Sequence, residues 1–212
     1  MFKKLFMLFK IGRKLSTSGA MSSIYEIYNP PITIKILFFV IGFTLGDKKN
    51  NNNLSPGVKL CNALQNMGTT FIKLGQFLAT RPDIIGENIS KELEKLQDKL
   101  PAFDSNDAKN ILMKELGKEN FDKIKDFSKP IAAASIAQVH FAKIYVSGQS
   151  KNIAIKILRP NIEKIFNEEL DALMLLAYIV QNLVQKTKRL KLVEVVQLLR
   201  EITNVEMDLR FE

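Results

Sequence analysis

Two short runs rich in β-forming residues interrupt a chain whose pattern is otherwise helical. The runs are SIAQVHFAKIYV and KNIAIKILR, they lie on either side of a polar stretch that contains Gly148, and Pro160 follows the second run. Such a pair of runs predicts a β-hairpin. The sequence therefore predicts an α+β fold that is mostly helical, with a β-hairpin or small antiparallel sheet set between helices.

The segments that flank the hairpin carry the hydrophobic period of helices. Before the hairpin we predict helices over residues 58–81, 87–100 and 105–117. Ser105 is the expected N-cap of the third helix, and Gly117 is its expected end. Two more helices are predicted over residues 161–187 and 191–212, and the last of them shows no stop signal.

Composition divides the chain into three parts. Residues 1–46 hold a basic amphipathic segment and an apolar one, residues 47–57 form an Asn-rich linker, and residues 58–212 form the main body. The first twenty residues carry five basic and no acidic side chains. This pattern suits a helix on an anionic membrane surface and also resembles a mitochondrial transit peptide. A terminal helix packed on the main body is the alternative.

The most apolar stretch, residues 32–46, is short for a membrane span. Its uninterrupted part runs from Ile36 to Leu45 and is ten residues long, about half of what a spanning helix needs. We interpret it as a buried or interfacial helix.

Cysteine content and charge exclude several classes of protein. The single cysteine, Cys61, cannot form an internal disulfide and fits a reducing compartment. The net charge is +9, but the sequence has neither zinc-ligand spacing nor an aromatic and basic platform. We therefore expect no metal site of this kind and no nucleic-acid partner.

The second β-run places one lysine, Lys156, among aliphatic residues. A lysine in a buried strand is costly unless an anion pairs with it, so one interpretation is that Lys156 holds nucleotide phosphates and is positioned by a carboxylate. An edge strand with Lys156 in water is the alternative.

Before the first run, residues 132–135 are three alanines and a serine, small enough to let a phosphate approach. Because alanine at positive φ costs about 1–2 kcal/mol, we expect a negative-φ path such as a helical turn. A tight packing turn is the other possibility.

The tetrapeptide KLGQ lies inside a predicted helix. Lys73 and Gln76 are three residues apart and face one side, and Gly75 is expected to have a packing reason. The only histidine, His140, is expected to be a hydrogen-bonded strand residue rather than a catalytic base.

The C-terminal stretch EMDLRFE supplies three carboxylates. Asp208 and Glu212 are four residues apart and share a face of the predicted helix, whereas Glu206 and Asp208 point to different sides. Glu206 and Asp208 are therefore not expected to serve the same cation. A solvated charged face is the alternative.

Five motifs follow one another along the main body. In chain order they are GTTFIKLGQFLATRPDII, LEKLQDKLPAF, KPIAAASIAQVH, IAIKILRP and VEMDLRFE. Their order and spacing closely resemble the UbiB family of atypical kinases, from about Val58 to Glu212. The alanine-rich loop and the Lys-x-Gly-Gln motif are typical of that family rather than of kinases in general. The resemblance is strongest to bacterial members tied to ubiquinone biosynthesis, and it implies a protein-kinase-like N-lobe with a helical N-terminal extension.

The resemblance assigns a nucleotide site to positions of this sequence. Its loop comprises Ile131, Ala132, Ala133, Ala134, Ser135, Ile136, Ala137, Gln138 and Val139. Lys156 is expected to face the α- and β-phosphates of ATP or ADP bound with Mg²⁺. The alanine loop and the occluding helices suit a small-molecule or ATPase-like role rather than phosphorylation of proteins.

Two further motifs of the family are carried over. Lys73, Gly75 and Gln76 match its own motif, which lies where a protein kinase receives its peptide. The motif Glu-x-Asp is matched by residues 206 and 208, and Glu212 falls where the helix glutamate that pairs with the strand lysine is expected.

The chain departs from the family at its C-terminal end. Family members continue for hundreds of residues, and the resemblance implies that a C-terminal lobe supplies the catalytic Asp and Asn and a metal-binding Asp. The sequence given ends at Glu212, so we expect this chain alone to be inactive and to be truncated, with the missing lobe encoded separately or lost.

Three hypotheses follow for the function. The chain is half of an ATP-using UbiB protein, or a nucleotide-binding scaffold for quinone-biosynthesis proteins, or a helical membrane-surface protein without a nucleotide site. The expected location is the cytoplasmic face of a bacterial inner membrane, as a peripheral protein, with the mitochondrial matrix as the alternative.

Overall fold

The chain is described by a computed structural model that covers residues 2–17, 20, 21, 25, 31–40, 54–96, 100–146 and 148–211. It forms two compact units. The helical unit comprises Met1–Gln97 and Glu163–Glu212, and the sheet unit comprises Asp98–Ile162. The mostly helical α+β fold with one small antiparallel sheet is confirmed.

The helical unit contains helices from both ends of the chain. They are α1 (Phe2–Thr17), α2 (Ile32–Val40), α3 (Pro56–Met67), α4 (Thr69–Ala79), α5 (Pro82–Ile85), α6 (Glu87–Leu93), α8 (Ile162–Leu183) and α9 (Leu192–Met207). Short 3₁₀ turns follow the last two helices at Gln185–Leu190 and Leu209–Phe211. Within the described residues, no helix is both long and apolar enough to cross a membrane.

The long helix predicted from Val58 is broken into two. Gly68 has φ 104° and separates α3 from α4, because glycine adopts this backbone conformation at little cost. Upstream, Ser55 caps α3, and Pro56 and Gly57, the last residues of the predicted linker, form its first turn. Residues 47–53 of that linker lie outside the described residues.

Helix α1 packs into the helical unit along one face only. Leu8 and Ile11 are buried in its hydrophobic core, together with Leu64, Phe71 and Leu93. Ion pairs also join α1 to α8, from Lys3 to Glu168 at 2.7 Å and from Lys4 to Asp171 at 3.0 Å. Helix α1 is therefore packed within the helical unit.

The sheet unit begins with helix α7 (Ser105–Phe121), followed by strands β1 (Ile124–Lys125), β2 (Pro130–Ala133), β3 (Ala137–Val146) and β4 (Gln149–Leu158). All pairings are antiparallel, and β3 is central, with β4 along one edge and β1 and β2 along the other. The predicted hairpin is β3–β4. Strands β1 and β2 were not predicted.

The two faces of the hairpin have different environments. Gln138, His140 and Ala142 of β3 are buried, and their partners in β4 include Ile155 and Ile157. These two isoleucines pack in a cluster with Ala108 and Leu112 of α7. One face of the sheet is therefore closed by a helix, and the alternate residues of both strands lie on the opposite face.

Some helix ends differ from the predicted ones; α6, for example, ends at Leu93 rather than at residue 100. Asp104, rather than Ser105, caps α7, since its carboxylate accepts a hydrogen bond from the Asn106 N–H at 2.7 Å. Gly117 leaves the helical conformation with φ 73°, as expected for the end of a helix, and a further short turn follows it. The last helix, α9, ends at Met207 instead of continuing to the final residue, because Asp208 is extended (φ −88°, ψ 90°).

Gly75 in α4 is enclosed by two leucines. A Cβ at this position would lie 2.2 Å from Leu96 Cδ1 and 2.9 Å from Leu64 Cδ1, both in the buried core. Unlike Gly68, Gly75 is helical, so its glycine is required by close packing and not by backbone conformation. This is the packing reason expected from the sequence.

We expect Gly75→Ala to destabilise the chain by about 1 kcal/mol, measured by urea unfolding. Alanine improves helix propensity by up to about 1 kcal/mol, but overpacking costs about 1–3 kcal/mol. In a Leu96→Ala background the clash is relieved, so the same substitution should become neutral or stabilising. Gly75→Ala that stabilises the otherwise unsubstituted chain would contradict this packing account.

Candidate functional site

Lys156 lies near the end of β4, on the sheet face that α7 does not cover. It pairs in register with Val139 of β3, and the next pair on that face is Ala154 with Phe141. Lys156 is half-buried, whereas Phe141 is 55% exposed. The register therefore sets the lysine at one end of an apolar strip formed by Val139, Ala154 and Phe141.

The alanine loop is a strand that ends in a tight turn. Ala132 and Ala133 pair with β3, and the Ala134 N–H donates to the Ala137 carbonyl at 2.8 Å. The helical turn suggested for this loop was wrong, because Ala132 and Ala133 form β pairs with β3 instead. None of residues 132–135 has a positive φ, as expected because a positive φ is energetically unfavourable for alanine.

The nine loop positions differ in their surroundings. Ile131 sits at an irregularity in the β2–β3 pairing and is 48% exposed. At the turn, Ser135, Ile136 and Ala137 are buried. Gln138 is also buried, and it faces α7 rather than the Lys156 side of the sheet.

Arg159 holds the turn from the end of β4. Its Nε and Nη2 donate to the Ala134 carbonyl at 3.1 Å and 2.8 Å, and Nη2 also donates to the Pro101 carbonyl at 2.9 Å. The guanidinium lies 5.9 Å from the centroid of the Phe103 ring. Burial lowers the pKa of Arg159, which nevertheless stays charged at neutral pH. The sequence had indicated no role for this residue.

His140 and Gln138 form a buried polar pair on the opposite face. The His140 Nδ1 lies 2.8 Å from the Ser128 carbonyl, so it carries the proton, and Nε2 accepts from the Gln138 amide at 2.9 Å. The Gln138 side chain also accepts from the Phe103 N–H at 2.9 Å and donates to its carbonyl at 3.4 Å. His140 is thus a hydrogen-bonded strand residue.

The family motif of α4 has an ion-pair partner in α9. Lys73 Nζ lies 2.9 Å from Glu206 Oε2, and the lysine side chain is only 14% exposed. Gln76 is half-buried on the same helix. The structure therefore brings together the Lys-x-Gly-Gln and Glu-x-Asp motifs within the helical unit, with the Lys73 charge balanced by a carboxylate.

Asp208 has a partner of its own. Arg210 donates to its carboxylate from Nε at 2.7 Å and also from Nη2, and the backbone N–H of Arg210 donates at 3.1 Å. These bonds lower the pKa of Asp208 from 3.8 to about 2. Because the folded pKa is depressed, the interaction favours folding above pH 4 and is lost as the pH falls towards 2.

Glu206 and Asp208 therefore do not act together. They pair with different cations, and Asp208 lies beyond the end of α9, so it is not on the helical face predicted for it. Glu212 lies outside the described residues, so its pairing with Lys156 stays a prediction. In the part of the chain that is described, no three His, Cys, Asp or Glu side chains gather as a metal site.

Comparison with known proteins identifies the family. Residues 95–212 match the family model described as the ABC1 atypical kinase-like domain. Over 183 residues the chain is 36% identical to the Probable protein kinase UbiB of Marinobacter nauticus, an alignment that covers 86% of this chain and 32% of that protein. The chain thus spans about a third of the length of this relative. No solved structure matches this chain. A chain with this domain match and this relative belongs to the UbiB family of ABC1-type atypical kinases.

Proposed function

We propose that this chain carries the nucleotide-binding part of a UbiB-type atypical kinase or ATPase that supports ubiquinone biosynthesis. The observation that carries the proposal is the β3–β4 register, which aligns Lys156 with Val139 on the uncovered sheet face, just after the alanine turn. A nucleotide requires a cation for its phosphates beside an apolar surface for its base, and this face offers both.

The phosphates would be held at the turn and by Lys156. The side chains of residues 132–135 extend no further than a methyl or hydroxymethyl group, so they leave room for a phosphate close to the backbone. Lys156 adds a point charge that stabilises the α- and β-phosphates, and a half-buried site strengthens this attraction relative to water.

The base would lie along the apolar strip. Val139 and Ala154 offer a flat aliphatic surface next to Lys156, and Phe141 extends it along β3. Ala154 and Phe141 were not among the residues predicted from the sequence. The signal that identifies them is the pairing register, because both lie two residues from a predicted site residue on the same face.

Phosphoryl transfer needs a metal ion and a group that positions the nucleophile. The described residues contribute a cation and a turn to the nucleotide, and we propose that Mg²⁺ takes its ligands from the phosphates and from a C-terminal lobe. That lobe corresponds to the part of the relative that this chain does not span, or to a separately encoded partner. In the Lys73–Glu206 ion pair, the carboxylate balances the positive charge of Lys73. This favours a positioning role for Lys73 over phosphate binding.

A second proposal concerns the membrane surface. Phe2, Phe6 and Phe9 of α1 are 86%, 71% and 45% exposed and share one helical face, because they are spaced by four and three residues. Lys10 and Lys14 are exposed on the same helix. An exposed aromatic face beside cations suits a peripheral position on an anionic bilayer, such as the cytoplasmic face of a bacterial inner membrane.

Helix α2 adds to this surface chemistry. Ile32, Ile36 and Phe39 are 70%, 57% and 69% exposed, and Phe38 lies in the core. The exposure of these three side chains favours an interfacial helix over a fully buried one. Its continuation at residues 41–46 lies outside the described residues.

Lys156→Ala should abolish the stabilisation of the chain by MgATP. At about 100 times its Kd, a ligand that binds only the native state stabilises it by about 2.7 kcal/mol, which a thermal-shift assay detects as a higher Tm. The matched control is Lys143→Ala, which removes a lysine from the same sheet face where it pairs with Asp126 at 2.8 Å. A full MgATP shift in Lys156→Ala would overturn the site.

Phe6→Ser with Phe9→Ser should weaken binding to vesicles that contain phosphatidylglycerol by about a hundredfold or more, measured by co-sedimentation. Each aromatic side chain buried in the bilayer contributes about 1.5–3 kcal/mol, and this fold loss should persist at high salt, where the lysines are screened. The control is Met113→Ser with Leu116→Ser, two residues of α7 with 42% and 43% exposure. Equal losses in both double variants would argue against a specific membrane face.

A further inference from the structure

The turn at residues 134–136 has no glycine, so its shape depends on contacts from outside it. Within the turn, the Ala134 N–H donates a backbone hydrogen bond to the Ala137 carbonyl. Three further contacts come from Arg159: its backbone N–H donates to the Ile136 carbonyl at 2.9 Å, and two side-chain nitrogens donate to the Ala134 carbonyl. Both ends of the turn are therefore bonded to one residue.

Arg159 is also bonded to a second segment of the sheet unit. The Nη2 of Arg159 reaches the Pro101 carbonyl, and the guanidinium faces the Phe103 ring. Phe103 is fixed in turn, because the Gln138 amide bonds both its N–H and its carbonyl. Gln138 belongs to β3, the strand that leaves the turn. The contacts thus close a ring from Ala134 through Arg159, Phe103 and Gln138 back to the turn.

From this ring we infer that Arg159 is the positioning residue of the nucleotide turn. It follows Lys156 by three residues at the end of β4, so its bonds to Ala134 fix the distance between the turn and the lysine before any ligand arrives. Such preorganisation raises affinity because the cost of ordering the site is already met in the free protein. The inference rests on the proposed nucleotide function of this face.

A planar guanidinium is necessary for these contacts. Its nitrogens are fixed in one plane and bond two carbonyl oxygens, of Ala134 and Pro101, and its Cζ lies over the Phe103 ring at 5.9 Å from the centroid. A lysine would keep the positive charge but offers a single ammonium, which cannot reproduce this fork. Arg159→Lys therefore separates a positioning role from a simple contribution of charge to the phosphates.

The test compares the unsubstituted chain with Arg159→Lys by MgATP titration calorimetry and by amide hydrogen exchange. We expect the Kd for MgATP to rise about tenfold and the Ala134 amide to exchange about tenfold faster. The amides of β3 and β4 between Phe141 and Ala154 should keep their protection, since their ladder does not involve Arg159.

The control variant is Leu112→Ala, which removes a core contact of α7 with the other sheet face. It should lower the Tm while leaving the Kd for MgATP within about twofold, so a general loss of stability cannot imitate the expected result. If Arg159→Lys does not fold, Phe103→Leu removes the ring next to the guanidinium but keeps an apolar side chain against the α7 cluster, and it should raise the Kd by a smaller factor.

The outcomes separate the two proposals. If the unsubstituted chain does not bind MgATP, the nucleotide function fails and the positioning role fails with it. If it binds, and Arg159→Lys leaves both the Kd and the Ala134 exchange unchanged, only the positioning role is overturned. A higher Kd with unchanged Ala134 exchange would likewise overturn it, because Arg159 would then act through its charge.

Discussion

The pairing of β3 with β4 determines what the rest of the sheet unit can do. Because side chains alternate along a strand, a register that matches Val139 with Lys156 places Gln138, His140 and Ala142 against α7 and leaves the lysine on the other face. A shift of β4 by one residue would turn Lys156 towards α7 and move Ile155 and Ile157 away from it. The hydrophobic cluster of Ile155 and Ile157 with α7 opposes that shift.

Polar contacts on the buried side support the geometry on the open side. Gln138 and His140 would be costly in the interior without partners, but they bond Phe103, Ser128 and each other. The segment that they hold also receives Arg159. The alanine turn is therefore stabilised by hydrogen bonds from Arg159, whose partner segment is held by Gln138 on the α7 side of the sheet. The turn contains no glycine, so its conformation does not depend on glycine flexibility.

Local sequence patterns predicted the elements that depend on local rules. The hairpin follows from β-forming residues, and the negative φ values of the turn follow from alanine sterics. The two glycines of the α3–α4 region show where such rules end. Gly68 breaks a helix at a positive φ, whereas Gly75 lies inside a helix with two leucines packed against it. The tertiary contacts that require a glycine at position 75 are not visible in the local sequence.

Long-range partners explain what the sequence did not predict. Arg159 donates hydrogen bonds to the carbonyls of Ala134 and Pro101, which are 25 and 58 residues away. A periodic sequence pattern cannot predict such long-range bonds. Strands β1 and β2 are too short to stand out, and they form because β3 offers an edge. The ion pair between Lys73 and Glu206 also joins distant parts of the chain. The resemblance to a family identified the two motifs, but only the structure shows that they are in contact.

The most direct test of the nucleotide face is a map of backbone amide shifts in the ¹⁵N-labelled chain as MgATP is added. The account predicts shifts at the alanine turn and at Val139, Ala154 and Lys156, with His140 and Ala142 on the covered face little affected. Shifts confined to the covered face or to the helical unit would contradict it, as would a spectrum that MgATP leaves unchanged.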